Sequence, residues 1–165
     1  MDMTEVRLDK MNVRFAALVD SLHPSFLKLM SMVPATGGTI PRQPPISGIY
    51  LFSEAGKHLY VGRSNGIQKR YVNHCSISSG HNTAAFAMIL ARAETGRKRS
   101  YIKGPETRQS LMADATFKQV FDEQKRRIRA MEFRYVEESD PLKQTLLEVY
   151  CAVALSTPHN DFDNH

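Results

Sequence analysis

The chain has 165 residues, 42% apolar and 24% charged, with a formal net charge of +5 from 22 Lys and Arg against 17 Asp and Glu. That length supports one domain with a hydrophobic core and is short for two, and the composition is that of a globular chain, not a disordered one. No apolar run reaches the roughly 18 residues of a membrane span, the first residues do not read as a secretory signal, and the positive balance suits a polyanionic partner. Cys75 and Cys151 form no CxxC pair. They read as reduced, partly buried thiols of a cytoplasmic protein.

Residues 4–32 read as one helix or two short ones. Val13, Phe15, Ala16, Leu18, Val19 and Leu22 fall near helical spacing, and Pro24 lies at or near a boundary. Residues 33–47 hold four prolines and two glycines, a connector without regular structure. The expected division is an N-terminal helical extension with its connector over 1–45, then a core over 46–165.

ISGIYLF and HLYVG are rich in β-branched and aromatic residues and read as a hairpin. A three-residue loop, Glu54-Ala55-Gly56, sets Tyr50 opposite Tyr60 on one face of the sheet. A two-residue loop would send the two rings to opposite faces. Ser64 or Asn65 then caps a helix to about Cys75, on which Arg70 and His74 share one face. A turn over 78–82 leads to an apolar helix over 83–94. The basic turn GRKRSYIKG follows, then Thr107 as a cap for a helix over 108–126. Residues 127–136 alternate with period two and read as a strand. Asp140-Pro141 is a cap followed by proline at the first helical position. The last helix continues through LKQTLLEVYCAVAL, and Pro158 lies beyond its end.

GIY occupies 48–50 and YVG occupies 60–62, and Arg70, His74, Glu148 and Asn160 follow in that order. This ordered set resembles the GIY-YIG nuclease superfamily, from about residue 46 to 164. Taken singly, the tyrosines would be strand aromatics, Arg70 and His74 a solvated helix face, and Asn160 a turn cap. The resemblance rests on their joint order. It implies an α+β fold with a small three-stranded antiparallel sheet flanked by helices, and DNA phosphodiester hydrolysis with one divalent ion. It casts Tyr50 and Tyr60 as the motif tyrosines and Arg70 as the arginine. His74 becomes the histidine often present, Glu148 the metal-binding carboxylate and Asn160 the late asparagine. Arg63 falls where repair-type members often carry lysine. The chain departs from compact members in its long stretch between Tyr60 and Glu148, read as a helical insertion at about 78–126.

The chemistry follows from these residue types. Glu148 is a hard oxygen ligand for Mg²⁺ or Mn²⁺, and a single carboxylate suits an ion that keeps waters and takes phosphate oxygens. Arg70 suits a nonbridging phosphate oxygen. Neighbouring Arg63, Arg70 and the metal are expected to lower the proton affinity of Tyr50, making it the general base, with His74 as the alternative base or relay. Tyr60 would position water or phosphate. Arg92, Arg97, Lys98, Arg99, Lys103 and Arg108 would contact backbone phosphates of double-stranded or branched DNA. Tyr101 among them would stack on an unpaired base. A restriction enzyme fits the basic insertion slightly better than a repair or structure-specific nuclease. A monomer or a homodimer both remain open. The rivals from other classes are a silent nucleic-acid-binding module and a protein-interaction domain.

Overall fold

The computed structural model describes residues 11–38, 40, 46–100 and 102–162. In order these form α1 (Val13–Asp20), α2 (Leu22–Ser31), β1 (Gly48–Glu54), β2 (Lys57–Ser64), α3 (Ile67–Cys75), α4 (Ala85–Thr95), α5 (Arg108–Ala113), α6 (Ala115–Ala130), β3 (Glu132–Glu137) and α7 (Pro141–Leu155). The fold is α+β, with one three-stranded antiparallel sheet in the order β2-β1-β3 and helices against both faces. Among the described residues no helix is long and apolar enough to cross a membrane.

The hairpin corrects the expected loop. Its turn has two residues, Ala55 and Gly56, both at positive φ (50° and 76°), as the twist of a tight hairpin demands. That register alone would put the tyrosines on opposite faces. A bulge restores them: Ser53 faces His58, but Phe52 faces Tyr60, so Leu59 is the extra residue. Tyr50 therefore lies opposite Gly62, not Tyr60, and Tyr60 sits diagonally beside it with ring centroids 6.3 Å apart.

Central strand β1 is buried along both faces. Tyr50, Phe52 and Phe133 point into an aromatic core closed by α3, α4 and α6, through Tyr71, Phe86, Phe121 and Ile128. Ile49, Leu51, Val61 and Val136 point the other way, against Leu22 and Leu29 of α2 and Leu147 and Cys151 of α7. Alternation along each strand thus serves two cores.

Several expected boundaries move. The expected helix over 108–126 is two helices, because Asp114 caps α6 by accepting from the backbone N–H groups of Thr116 and Phe117. The expected strand over 127–136 begins late: α6 continues to Ala130, with Ile128 fully buried on its inner face, and β3 starts at Glu132. Of the expected helix over 4–32, residues 4–10 lie outside the described residues. The remainder forms two short helices, as one of the two expected arrangements has it, parted at Ser21, and Pro24 sits in the first turn of α2, where no backbone N–H is needed. Gly66, not Ser64 or Asn65, occupies the cap position of α3, although Ser64 Oγ accepts from the Gly66 N–H at 3.0 Å. The caps at Thr107 and Asp140 stand as expected. Within the connector, Ala35 and Phe133 exchange backbone hydrogen bonds in an isolated bridge, and residues 39 and 41–45 lie outside the described residues.

Candidate active site

Three elements converge on the Tyr50 hydroxyl. Arg70 and His74, one turn apart on α3, both reach it: Arg70 Nε donates at 3.2 Å and His74 Nε2 lies at 2.9 Å. Gly62 on β2 makes room, because a Cβ there would collide with the Tyr50 hydroxyl and ring end. Gly48 is needed for a different reason, since a Cβ at that position would strike the Val136 carbonyl of β3. Both motif glycines are thus sites of close approach, one to a side chain and one to backbone. Arg70 is held from its other end, where NH1 donates to the Thr83 carbonyl at 3.1 Å.

The electrostatics of this hub run against the expected general base. Tyr50 is 1% exposed. Burial and the neighbouring Tyr60 raise its hydroxyl well above the ordinary tyrosine value, and the opposing influence of Arg70 is smaller. Desolvation of the phenolate outweighs one adjacent cation. His74 is fully buried, and burial, helped by Arg70, pushes it down to about 3. It is neutral at pH 7, and its Nδ1 has no hydrogen-bond partner among the described residues. The Tyr50–His74 pair is a buried neutral strut that fixes the Arg70 guanidinium.

The exposed side of the site is a cavity of about 420 Å³. Tyr60, Glu148 and Asn160 line it, together with Arg92, Arg97, Arg99 and Arg108. Tyr60 reaches it from β2, its ring stacked on Phe86 at 4.6 Å between centroids. Its hydroxyl, too, is raised, first by burial and secondarily by Glu148, against the influence of Arg70. Glu148 comes from the middle of α7 and meets Arg63 of β2, with Nε to Oε2 at 3.1 Å. Burial holds the Glu148 carboxyl above the ordinary carboxylate range even with Arg63 beside it. Arg63 thus already occupies Glu148 Oε2, and any other cation would have to take its place there or bind the second oxygen. Among the described residues no group of three or more His, Cys, Asp or Glu could hold a metal. Glu148 therefore fits only an ion whose remaining ligands are water and substrate oxygens.

Asn160 is placed otherwise than a reacting group. Its Oδ1 accepts from the Val61 N–H at 2.9 Å and its Nδ2 donates to the Val61 carbonyl at 2.8 Å. It mimics a neighbouring strand and ties the tail to β2.

The basic cluster divides. Arg92 is 8% exposed, and its two terminal nitrogens donate to the carbonyls of Lys98 and Glu106. It holds the loop after α4 in shape while also lining the cavity, so its placement differs from that of a freely extended phosphate contact. Arg97 pairs with Glu106 and Arg99 with Asp161, and Arg108 donates to the His81 carbonyl. Lys98 and Lys103 are exposed on the loop after α4. Tyr101 lies outside the described residues. The cavity also takes in His159, Asp161 and Phe162. Those residues carry no spacing signal, because a tail folds back according to tertiary contacts alone.

No protein-family model, curated protein or solved structure matches the chain.

Proposed function

We propose that the protein is a divalent-metal-dependent DNA endonuclease that hydrolyses phosphodiester bonds, the activity implied by its resemblance to the GIY-YIG nucleases. One observation carries the reading. Tyr60 of β2 and Glu148 of α7 line one arginine-walled cavity, Arg63 pairs with that Glu148 carboxylate, and Arg70 is anchored on the Tyr50 hydroxyl. A carboxylate set among cations is the arrangement that holds a metal–phosphate pair without a second carboxylate.

Glu148 would hold Mg²⁺ or Mn²⁺, which when bound would supply Lewis-acid polarisation of the phosphate and stabilisation of the leaving oxygen. Arg63 neutralises Glu148 in the free protein and moves to phosphate when the carboxylate takes up its ligand. Arg70, locked by Tyr50 and Thr83, presents its guanidinium to the charge that develops on the nonbridging oxygens, with no reorganisation to undergo. Tyr60, on the cavity wall, orients the attacking water and is better placed than buried Tyr50 to handle its proton. Tyr50 and His74 act as positioning residues. Both cysteines are free and buried, which fits a cytoplasmic protein. A monomer suffices for one cut, and paired cuts would need two subunits.

Wild-type and Glu148→Ala protein, incubated with supercoiled and branched DNA plus Mg²⁺ or Mn²⁺, test this directly. Metal-dependent products from wild type alone, suppressed by a chelator, are expected, and discrete bands would mark a restriction-type specificity. Salt-sensitive binding with no cutting of any substrate would replace the nuclease with a silent nucleic-acid-binding module.

A further inference from the structure

The cavity beside Glu148 has walls of two chemistries. One is cationic on balance, formed by Arg97, Arg99 and Arg108, which pair with Glu106, with Asp161 on the same wall and with the His81 carbonyl. The other is apolar. Ala85, Met88 and Ile89 fall three and four residues apart on α4 and so line one helix face, and Phe162 adds a ring from the tail. A phosphate alone would use only the first wall. The faces of bases in intact duplex are covered by their neighbours and have no use for the second. A ligand matching both walls is planar and apolar on one side and anionic on the other. At about 420 Å³ the space falls within the range of roughly 300–1,000 Å³ that holds small ligands.

We infer that this cavity receives one unpaired nucleotide. Its base rests on the Ala85–Met88–Ile89 surface and its phosphate faces the arginines, so the substrate is DNA with a nucleotide out of the stack next to the scissile bond. Enzymes that take a base out of the helix hold it between apolar or aromatic side chains, and the energy of unpairing selects DNA already unpaired there. The inference rests on the nuclease reading and names its substrate: structure-specific DNA in place of a plain restriction site.

The test uses the full chain and short duplexes carrying 2-aminopurine, either paired or in a one-nucleotide bulge, in the presence of a chelator so that binding is read without cleavage. The bulged duplex should bind about tenfold more tightly than the paired one, the fold-change of one base stacked on a protein surface. Its emission should change on binding. Ala85→Phe, which fills the recess, should abolish both effects, and Ile89→Trp serves if Ala85→Phe fails to give a wild-type circular dichroism spectrum. Equal binding of paired and bulged duplexes by wild type would overturn the inference with no variant needed. So would a free deoxynucleoside monophosphate that competes as well as the bulged duplex, since the occupant would then be a small molecule. Cleavage assays with Mg²⁺ run in parallel keep the two readings apart. Bulge preference without cutting sinks the nuclease and leaves the cavity assignment, and cutting without bulge preference does the reverse.

Discussion

Glu148 and His74 are both carried at a cost in stability, and opposite ends of the pH scale reveal it. The Glu148 carboxyl is held above its ordinary value by burial. Such a group favours the folded state while protonated, and that contribution is lost as pH rises through its folded value. Burial thus sets the fold against ionisation of this carboxyl. Glu148→Gln should therefore melt at a higher temperature than wild type at pH 7, with the gain shrinking towards pH 4.5, while metal-dependent cleavage disappears. A lower melting temperature at pH 7 would show that the Arg63 pair outweighs burial. For His74 the direction reverses. Its folded value near 3 lies below the ordinary 6.5, so between those limits the unfolded chain takes a proton that the folded one refuses. Stability falls as the solution is acidified through that window, by up to about 1 kcal/mol per pH unit from this group. Urea midpoints at pH 7 and pH 5 should differ more for wild type than for His74→Gln, and identical differences would remove the buried neutral imidazole.

The hairpin and its neighbours explain how a motif written in one strand pair depends on the third. Gly48 faces β3, and Ala at that position would drive its methyl group into the Val136 carbonyl. Backbone cannot step aside as a side-chain tip can, so Gly48→Ala should cost more than the roughly 1–3 kcal/mol typical of an overpacked core. Chemical denaturation measures it, with the backbone amide of Ile49 expected to lose protection from hydrogen exchange. Helix α7 was readable from its Asp140-Pro141 start, and the two strands of the hairpin from their β-branched and aromatic runs. The bulge at Leu59 was not, because no local residue preference distinguishes a two-residue turn plus bulge from a three-residue loop. The late start of β3 was missed for a related reason: period-two alternation over 127–136 competes with helical burial of Ile128, and packing against the aromatic core decides between them. At the site itself, the joining of Arg70 and His74 on one helix face followed from their spacing, and their common target on Tyr50 follows from Gly62. The direction of the Tyr50 shift was hidden, since sequence reports neighbouring charges but not the depth at which they meet.

The chain folds around its sheet more evenly than a core with attachments would suggest. The segment expected as an N-terminal extension supplies α2, whose Leu22 and Leu29 complete the aliphatic core with Leu147 and Cys151. The segment expected as an insertion supplies α4 and α6, which close the aromatic core over Phe52 and Phe133. Neither can be trimmed without uncovering one face of β1. Leu29 is fully buried, and Leu29→Ala should destabilise the whole molecule by about 2–5 kcal/mol, the range for leucine truncation in a packed core. A single cooperative thermal transition shifted downward is the expected reading. A wild-type melting curve would instead make α2 a dispensable attachment.

Both margins of the sheet are finished from within the chain. Ala35 exchanges two backbone hydrogen bonds with Phe133 along β3, and on β2 the Asn160 amide occupies both polar groups of Val61 while the His159 N–H takes the Leu59 carbonyl. Open strand margins template the pairing of one molecule with the next. The tail asparagine is thus a guard against self-assembly as well as a tie for the cavity floor. Asn160→Ala should remain folded yet scatter light on standing at high concentration, and a clear solution under those conditions would show that helix packing alone keeps the molecules apart.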